Sequence, residues 1–507
     1  MFVICILSFS SSAISQEHQI VNTKSGPIKG VITKHAMGKL YTFFKIPFAK
    51  PPVGDLRFKK PEPIEPWNDV IDGTQQMPSC SQPMGFYDAM LPITDVSENC
   101  LFLNVYVPNS VSYGNKKSVM VWIHGGGYSV GQGNLYDSSE LALTGDVIVV
   151  VINYRLNVFG FMTTWDSAAL GNYGLWDQIM ALKWVKNNIE DFGGDPDSIT
   201  IFGESAGGFS VSILSLLPQN KGLFHRVIAQ SGTANSYMAF NNDKKSFMQD
   251  IFDELKCDKQ DTISIVECLR AVASENFSNV TMKMLYSGLN DLYISIAPRV
   301  DNDLIKQQLD FHTNLGASLE FFRSLDYLAG FTSSEGVTMV ALDEGMNLEQ
   351  DFKISEGISP DALCSQFMPR IAKRAFDNIP EVAEALCQAY RADDKIQQGK
   401  NAVELCGDFG FAHTAVQSLI AHSKQNQATN TYQYILTRPV SSILGAQLPK
   451  WFEGAPHGLD LAYLFDFEDK DLIFLINSTF SDADQNMKQT MMKYWTNFAK
   501  TGYVQTF

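Results

Sequence analysis

A glycine-flanked serine, Gly203-Glu204-Ser205-Ala206-Gly207, lies between a short apolar strand, Ile199 to Phe202, and a run that reads as helix, Ala206 to Leu217. A strand passes directly into a helix only through a sharp turn, and glycines on both sides remove side chains that would collide there. Such an elbow lifts a serine oxygen above the end of a sheet, so Ser205 is the candidate nucleophile. A second glycine cluster, His124-Gly125-Gly126-Gly127-Tyr128, follows the apolar strand Val119 to Ile123. Backbone N–H groups of such a loop can turn toward a developing oxyanion, and the residue after an elbow serine donates a further one. Gly126, Gly127 and Ala206 are therefore the expected oxyanion hole.

The surrounding pattern predicts strands alternating with helices. Val147 to Ile152 is a continuous apolar, β-branched run, the mark of a strand covered on both faces. Leu175, Ile179, Leu182, Val185 and Ile189 recur at helical spacing, which predicts an amphipathic helix over 174–190. Further strands are expected at Arg226 to Gln230, Leu325 to Phe331 and Thr431 to Leu436. The fold class is α/β, with a mainly parallel sheet and a site beyond the carboxyl ends of its strands. Two long helical insertions, roughly 236–325 and 340–425, would border the entrance.

That edge rule, with the chain order serine, acid, histidine, selects the remaining catalytic residues. Glu335 follows the strand ending at Phe331 and precedes Gly336, whereas Asp326 lies at the strand's other end. Other glutamates share this local pattern, so the residues alone leave the acid open. Of the histidines after it, His413 and His422 sit in a helical run, Phe411 to Ala421 and its continuation. His457 lies instead in the loop Gly454-Ala455-Pro456-His457-Gly458 after the last strong strand, and is the expected general base.

The 507 residues carry no Pro/Ser linker, low-complexity tract or internal repeat, so one domain over 16–507 is expected. Residues 1–15 read as a signal peptide, apolar from Phe2 to Phe9 with Ala13-Ile14-Ser15 as the small-residue cleavage site, which predicts a secreted chain. The leader is too short to cross a bilayer, and no later apolar run is long enough for a transmembrane segment. With 39 basic and 55 acidic residues the net charge is −16, a field that repels nucleic acid and suits neutral or cationic substrates. Cys80 with Cys100, and Cys257 with Cys268, would each close a short loop in an oxidising compartment. Cys364, Cys387 and Cys406 cannot all pair internally, and spacing does not say which is left over. Sequons at Asn276, Asn279 and Asn477 fit a glycosylated, secreted protein.

The chain resembles the type-B carboxylesterase/lipase family, the α/β-hydrolases that include carboxylesterases, cholinesterases and bile-salt-activated lipases. The resemblance rests on Phe44-Lys45-Ile46-Pro47-Phe48-Ala49, Ser97-Glu98-Asn99-Cys100-Leu101-Phe102-Leu103-Asn104-Val105, Gly171-Asn172-Tyr173-Gly174-Leu175 and Phe202 to Gly208. It continues through Gly330 to Gly336, His457-Gly458 and Tyr494-Trp495-Thr496-Asn497-Phe498-Ala499. It implies an α/β-hydrolase fold, a Ser205, Glu335, His457 triad, an oxyanion hole at Gly126, Gly127 and Ala206, and disulfides Cys80 to Cys100 and Cys257 to Cys268. Asn99 stands where the family usually has Asp, and Ser333-Ser334 replaces a more polar pair. Members usually continue for several tens of residues beyond the point matching Phe507, so the expectation is either a domain incomplete at its C-terminal end or a trimmed one.

The expected activity is hydrolysis of a small-molecule or lipid carboxylic ester through an acyl-enzyme, with no metal or organic cofactor. Cholinesterases carry a tryptophan in the first disulfide loop that holds a quaternary ammonium. Ser81 to Asn99 contains Phe86 and Tyr87 but no Trp, which disfavours a choline ester. Asp326-Tyr327-Leu328-Ala329-Gly330 and Pro449-Lys450-Trp451 are similar to bile-salt-activated lipases. Met84, Phe86, Met90, Leu91 and Ile93 form either a lipophilic entrance or ordinary packing. The alternatives are a cholinesterase-like activity and a catalytically silent adhesion or binding member of the family. Oligomeric state is not legible.

Overall fold

Three N-terminal strands, β1 (Glu17–Asn22), β2 (Pro27–His35) and β3 (Gly38–Pro47), mix exposed and buried positions and pair antiparallel, as suits the wet margin of a sheet. The strands that follow are β4 (Phe102–Pro108), β5 (Lys117–Ile123), β6 (Ile148–Ile152), β7 (Gly194–Glu204), β8 (Arg226–Gln230) and β9 (Asp326–Thr332), built largely on buried apolar runs, and the edge strand β10 (Thr431–Leu436), which is buried only at Leu436. All five residues of β6 are buried, as its unbroken β-branched sequence requires. These features come from a computed structural model that describes residues 17–83, 93, 95–109, 116–240, 245–286, 296–338, 340, 352–353, 356–375, 379–426, 428–439, 449–467 and 480–505. The expected signal peptide, Asn477, and Met84, Phe86, Tyr87, Met90 and Leu91 lie outside the described residues; Ile93 is buried.

Strand order is β1-β2-β3-β4-β6-β5-β7-β8-β9-β10, with the short strand Ile71–Asp72 beside β2 completing eleven strands among the described residues. From β6 to β10 every pairing is parallel. Register brings the carboxyl ends level: Ile123 pairs with Ile152 and Gly203, Glu204 with Gln230, and Gln230 with Gly330. Chemistry placed just after several strands therefore converges on one edge.

Alternate side chains enter two cores. Val119, Val121, Ile123, Val150 and Ile201 face α1 (Tyr173–Asn188) and α2 (Ala206–Ser215). Met120, Trp122, Val149, Val151 and Phe202 face the other way, toward Trp495 and Phe498. The helix expected over 174–190 forms with Leu175, Ile179, Leu182 and Val185 all buried, its last residues tightening into the 3-10 turn Ile189–Phe192. α2 is buried at all ten positions and ends earlier than expected: Leu216 and Leu217 donate to the carbonyls of Ile213 and Leu214, and Pro218 follows. A residue before proline avoids the helical region, which fixes that stop.

The insertions contain helices Lys245–Glu254, Thr262–Ala271, Ser274–Tyr286 and Pro380–Tyr390. α3 (Lys395–Gly407) and α4 (His413–Ser423) are joined by a π turn, Asp408–Ala412, so Phe411 sits in a widened turn and not in the regular helix expected from the sequence. The final helix, α5 (Asp482–Thr501), starts with a capping box of Ser481 and Asp484 and stops at left-handed Gly502. Disulfides join Cys80 to Cys100, Cys257 to Cys268 and Cys364 to Cys387, which leaves Cys406, buried, outside the disulfides. Among the described residues no helix is long and apolar enough to cross a membrane.

Candidate active site

Ser205 is held by the elbow in a backbone conformation of φ 56° and ψ −121°, which non-glycine residues adopt only when their surroundings enforce it. Its N–H donates to Gln230 O (2.9 Å) and its carbonyl accepts from Phe209 N (2.8 Å), so β8 and the first turn of α2 grip it from both sides. The glycines are steric requirements: a Cβ on Gly207 would stand 1.9 Å from the Ile123 carbonyl oxygen. A Cβ on Gly125 would stand 2.7 Å from the Glu204 carbonyl oxygen and 3.1 Å from Ser205 Cβ. The glycine loop thus packs directly on the elbow, and Gly126 and Gly127 continue it with φ of 103° and 60°. Ala206 opens α2, where an N–H has no intrahelical acceptor.

Glu335 and His457 are brought together. Glu335 is buried in the turn after β9, with Oε2 2.5 Å from His457 Nδ1. Its other oxygen accepts from Ser231 Oγ (2.6 Å) and from Thr332 N (2.6 Å). Ser333 and Ser334 tie the acid turn to the histidine loop: Ser334 N donates to Ala455 O (2.9 Å), Ala455 N donates to Ser333 Oγ (3.0 Å), and Ser334 bridges Pro456. The Ser333 hydroxyl and the backbone of Ser334 therefore do the joining at the position where the sequence departs from the family pattern.

The opposite ring nitrogen, His457 Nε2, faces Glu204 Oε1 at 3.1 Å, and no Ser205–His457 hydrogen bond forms among the described residues. Burial alone would lower the pKa of His457, but the carboxylates of Glu204 and Glu335 outweigh it and hold the imidazole above its ordinary value. Burial, which the cation of His457 only partly offsets, pushes the Glu204 carboxyl upward. Protons are thus held more tightly here than in water. Three residues beyond His457, buried Asp460 accepts from Gln230 Nε2 (2.8 Å) and Tyr434 OH (2.7 Å). Gln230 Oε1 in turn accepts from Trp495 Nε1 (2.9 Å), so the histidine loop is anchored to β8, β10 and α5.

The other histidines considered for the base are elsewhere engaged or exposed. His422 is buried and bonded to Thr431 Oγ1 (2.7 Å) and Leu325 O (2.9 Å), and His413 is exposed. Asp326, at the far end of β9, pairs with Arg226. His124 is buried neutral, its pKa lowered to about 4 by burial, and stacks on Tyr154. Sequence reasoning missed Glu204, Ser231 and Asp460. Ser231 was accessible to the same rule that selected the others, because it directly follows the last residue of β8.

A mainly parallel sheet whose carboxyl edge collects a strained serine elbow, a glycine loop, an acid and a histidine is the α/β-hydrolase arrangement, here of the carboxylic ester hydrolase class. Comparison with known proteins agrees. The chain belongs to the carboxylesterase family, whose model matches residues 17–506. It is 35% identical to pyrethroid hydrolase Ces2a of Mus musculus, over 95% of this chain and 83% of that protein. It is 33% identical to the medium-chain fatty acyl-CoA hydrolase precursor of Anas platyrhynchos, over 96% of this chain and 85% of that protein. It is also 32% identical to neuroligin-2 of Mus musculus, over 95% of this chain and 60% of that protein.

Proposed function

We propose that this chain is a secreted serine hydrolase of neutral, lipophilic carboxylic esters, with Ser205, Glu335 and His457 as its triad. The observation that carries the reading is the Glu335–His457 contact of 2.5 Å, on a glutamate fixed by two further hydrogen bonds. Glu335 fixes the imidazole tautomer and steadies the cation that forms during reaction. His457 takes the Ser205 proton, the serine oxygen attacks the ester carbonyl, and the N–H groups of Gly126, Gly127 and Ala206 receive the oxyanion. His457 returns the proton to the departing alcohol, and water then repeats the attack and frees the acid.

Two relatives are named for hydrolysis of pyrethroids and of medium-chain fatty acyl-CoA, which supports an apolar acyl or alcohol group. Three disulfides suit an oxidising compartment and support secretion. Asn276 and Asn279 are exposed on one helix, as sugar attachment requires, and Asn477 is the third proposed site. Hydrolysis of p-nitrophenyl esters from acetate to palmitate, abolished in Ser205→Ala with folding retained, is the expected result. An active Ser205→Ala protein would refute the nucleophile.

The likeness to neuroligin-2 favours a second reading, a catalytically silent binding member of the family. The complete set of Ser205, Glu335 and His457 argues against it. An organophosphate separates the two: the hydrolase is labelled at Ser205, and a silent member stays unlabelled.

A further inference from the structure

We propose that Phe411 is a positioning residue for the general base: presented by the π turn, its ring holds the His457 imidazole against the elbow helix. The inference rests on the triad reading above.

α3, the π turn and α4 form one continuous rod from Lys395 to Ser423, and this rod packs against the acid turn, the proposed base and the elbow helix. Its first half seats the acid turn. A Cβ on Gly336, next to Glu335, would stand 1.9 Å from the Val403 carbonyl oxygen and 2.8 Å from Cys406 Cβ and Gly407 N. Its middle seats the base: the Phe411 ring centroid lies 4.7 Å from that of His457, inclined at 39°. The same ring runs nearly parallel to Phe209, at 6.4 Å and 13°. Phe209 donates its N–H to the Ser205 carbonyl, so Phe411 is wedged between the imidazole and the first turn of the nucleophile helix. It is only 2% exposed, and the neighbouring Gly410 carbonyl is pinned by Ser236 Oγ at 2.9 Å.

The π turn has a geometric reason to be there. Residues four apart in an α-helix drift by about 40° per step, so Val403, Gly407 and Phe411 would fan out by about 80° in a regular helix. A turn with more residues per revolution takes up part of that drift and keeps the acid-facing and histidine-facing residues near one stripe. Such wide turns are rare overall and frequent at functional sites.

The ring's contribution is steric and electrostatic. It blocks rotation of the imidazole away from the elbow, and its π face favours the imidazolium. The charged groups around the same imidazole are Glu204 from the elbow, Glu335 from the acid turn and Asp460 from the turn that follows it.

The test compares wild type, Phe411→Leu and Phe411→Tyr by kcat, KM and the pH profile of kcat/KM, with thermal melts to confirm folding. Phe411→Leu is expected to lower kcat about tenfold, leave KM within about twofold and move the acidic limb to lower pH by roughly half a unit to one unit. Phe411→Tyr keeps the ring and is expected to restore both kcat and the limb. Wild-type kcat and limb in the leucine variant would overturn the inference. So would a folded tyrosine variant as impaired as the leucine one, since the ring would then not be what matters. If wild type is inert and Ser205 stays unlabelled by an organophosphate, the triad reading falls and this inference with it.

Discussion

Replacing Glu204 by Gln keeps the shape of the elbow and removes one of the two carboxylates that face His457. The charge of Glu204 stabilises the imidazolium, whereas a general base must be neutral, so the substitution lowers the pKa of the base and moves the acidic limb of kcat/KM to lower pH. The separation of 3.1 Å sets the scale. Two unit charges at that distance interact by about 1.3 kcal/mol in water and about 5 kcal/mol at an effective dielectric of about 20, or about one to four pH units. Burial raises the carboxyl of Glu204, so it is partly protonated and exerts less than its full charge, which favours the lower half of that range. The expected shift is about one to two units downward, from a wild-type limb lying above the ordinary histidine value of about 6.5. The plateau should fall as well, because the imidazolium of the transition state loses a counter-charge. The assay is p-nitrophenyl butyrate hydrolysis across about pH 5 to 10, with melting checked at each end. A limb unmoved within about 0.3 units would show that Glu204 does not act on the imidazole as a charge, and the reasoning would fail.

Three further outcomes follow from the same contacts. Ser231→Ala removes the 2.6 Å hydrogen bond to Glu335, a charge-assisted bond worth about 1.5–3 kcal/mol, and kcat should fall about tenfold with KM little changed. Equal kcat in the variant would show that Thr332 N alone fixes the acid. Asp177 accepts from Arg155 N, Nε and Nη2 at 3.0, 2.7 and 2.7 Å with both side chains buried. Asp177→Ala should therefore cost about 3–5 kcal/mol in denaturant unfolding by stranding a guanidinium. Loss of the Cys257–Cys268 bridge, across a separation of 11, should destabilise by about 3 kcal/mol through loop entropy while leaving esterase kcat intact. A fall in kcat instead would tie that insertion to the site.

What could be read from the sequence was whatever a strand end or a helical period dictates. Arg226 to Gln230 and Thr431 to Leu436 form as strands within those bounds, the first around the apolar run Val227 to Ala229 and the second rich in the β-branched and aromatic residues that favour strands. Ser205 and Glu335, two of the proposed triad, were singled out for a related reason: parallel register brings strand ends level, so a residue just past a strand is placed without knowledge of packing, whereas His457 lies well beyond β10 and was singled out by its loop. The misses are residues whose role depends on where an unrelated segment lands. Phe411 reads as one more apolar residue in a helix, and only the widened turn and the arrival of His457, far along the chain, give it a position. Asp460 reads as a polar residue in a loop until Gln230, Tyr434 and Trp495 close around it from three other elements.

Glu204 belongs to neither group, since it lies inside the motif that drew attention first. The elbow pattern leaves its second position free because the turn does not need a particular side chain there. Yet the last residue of β7 stands beside the serine at the same edge, and its side chain reaches the histidine loop, with Glu204 Oε1 3.1 Å from His457 Nε2. An acid at the free position therefore meets the base from the side opposite Glu335, and His457 is braced between a carboxylate on each ring nitrogen. Such bracing stabilises the cation at the expense of the neutral form, so with His457 as the proposed base the active range is expected to lie at higher pH than it would with an uncharged residue at that position.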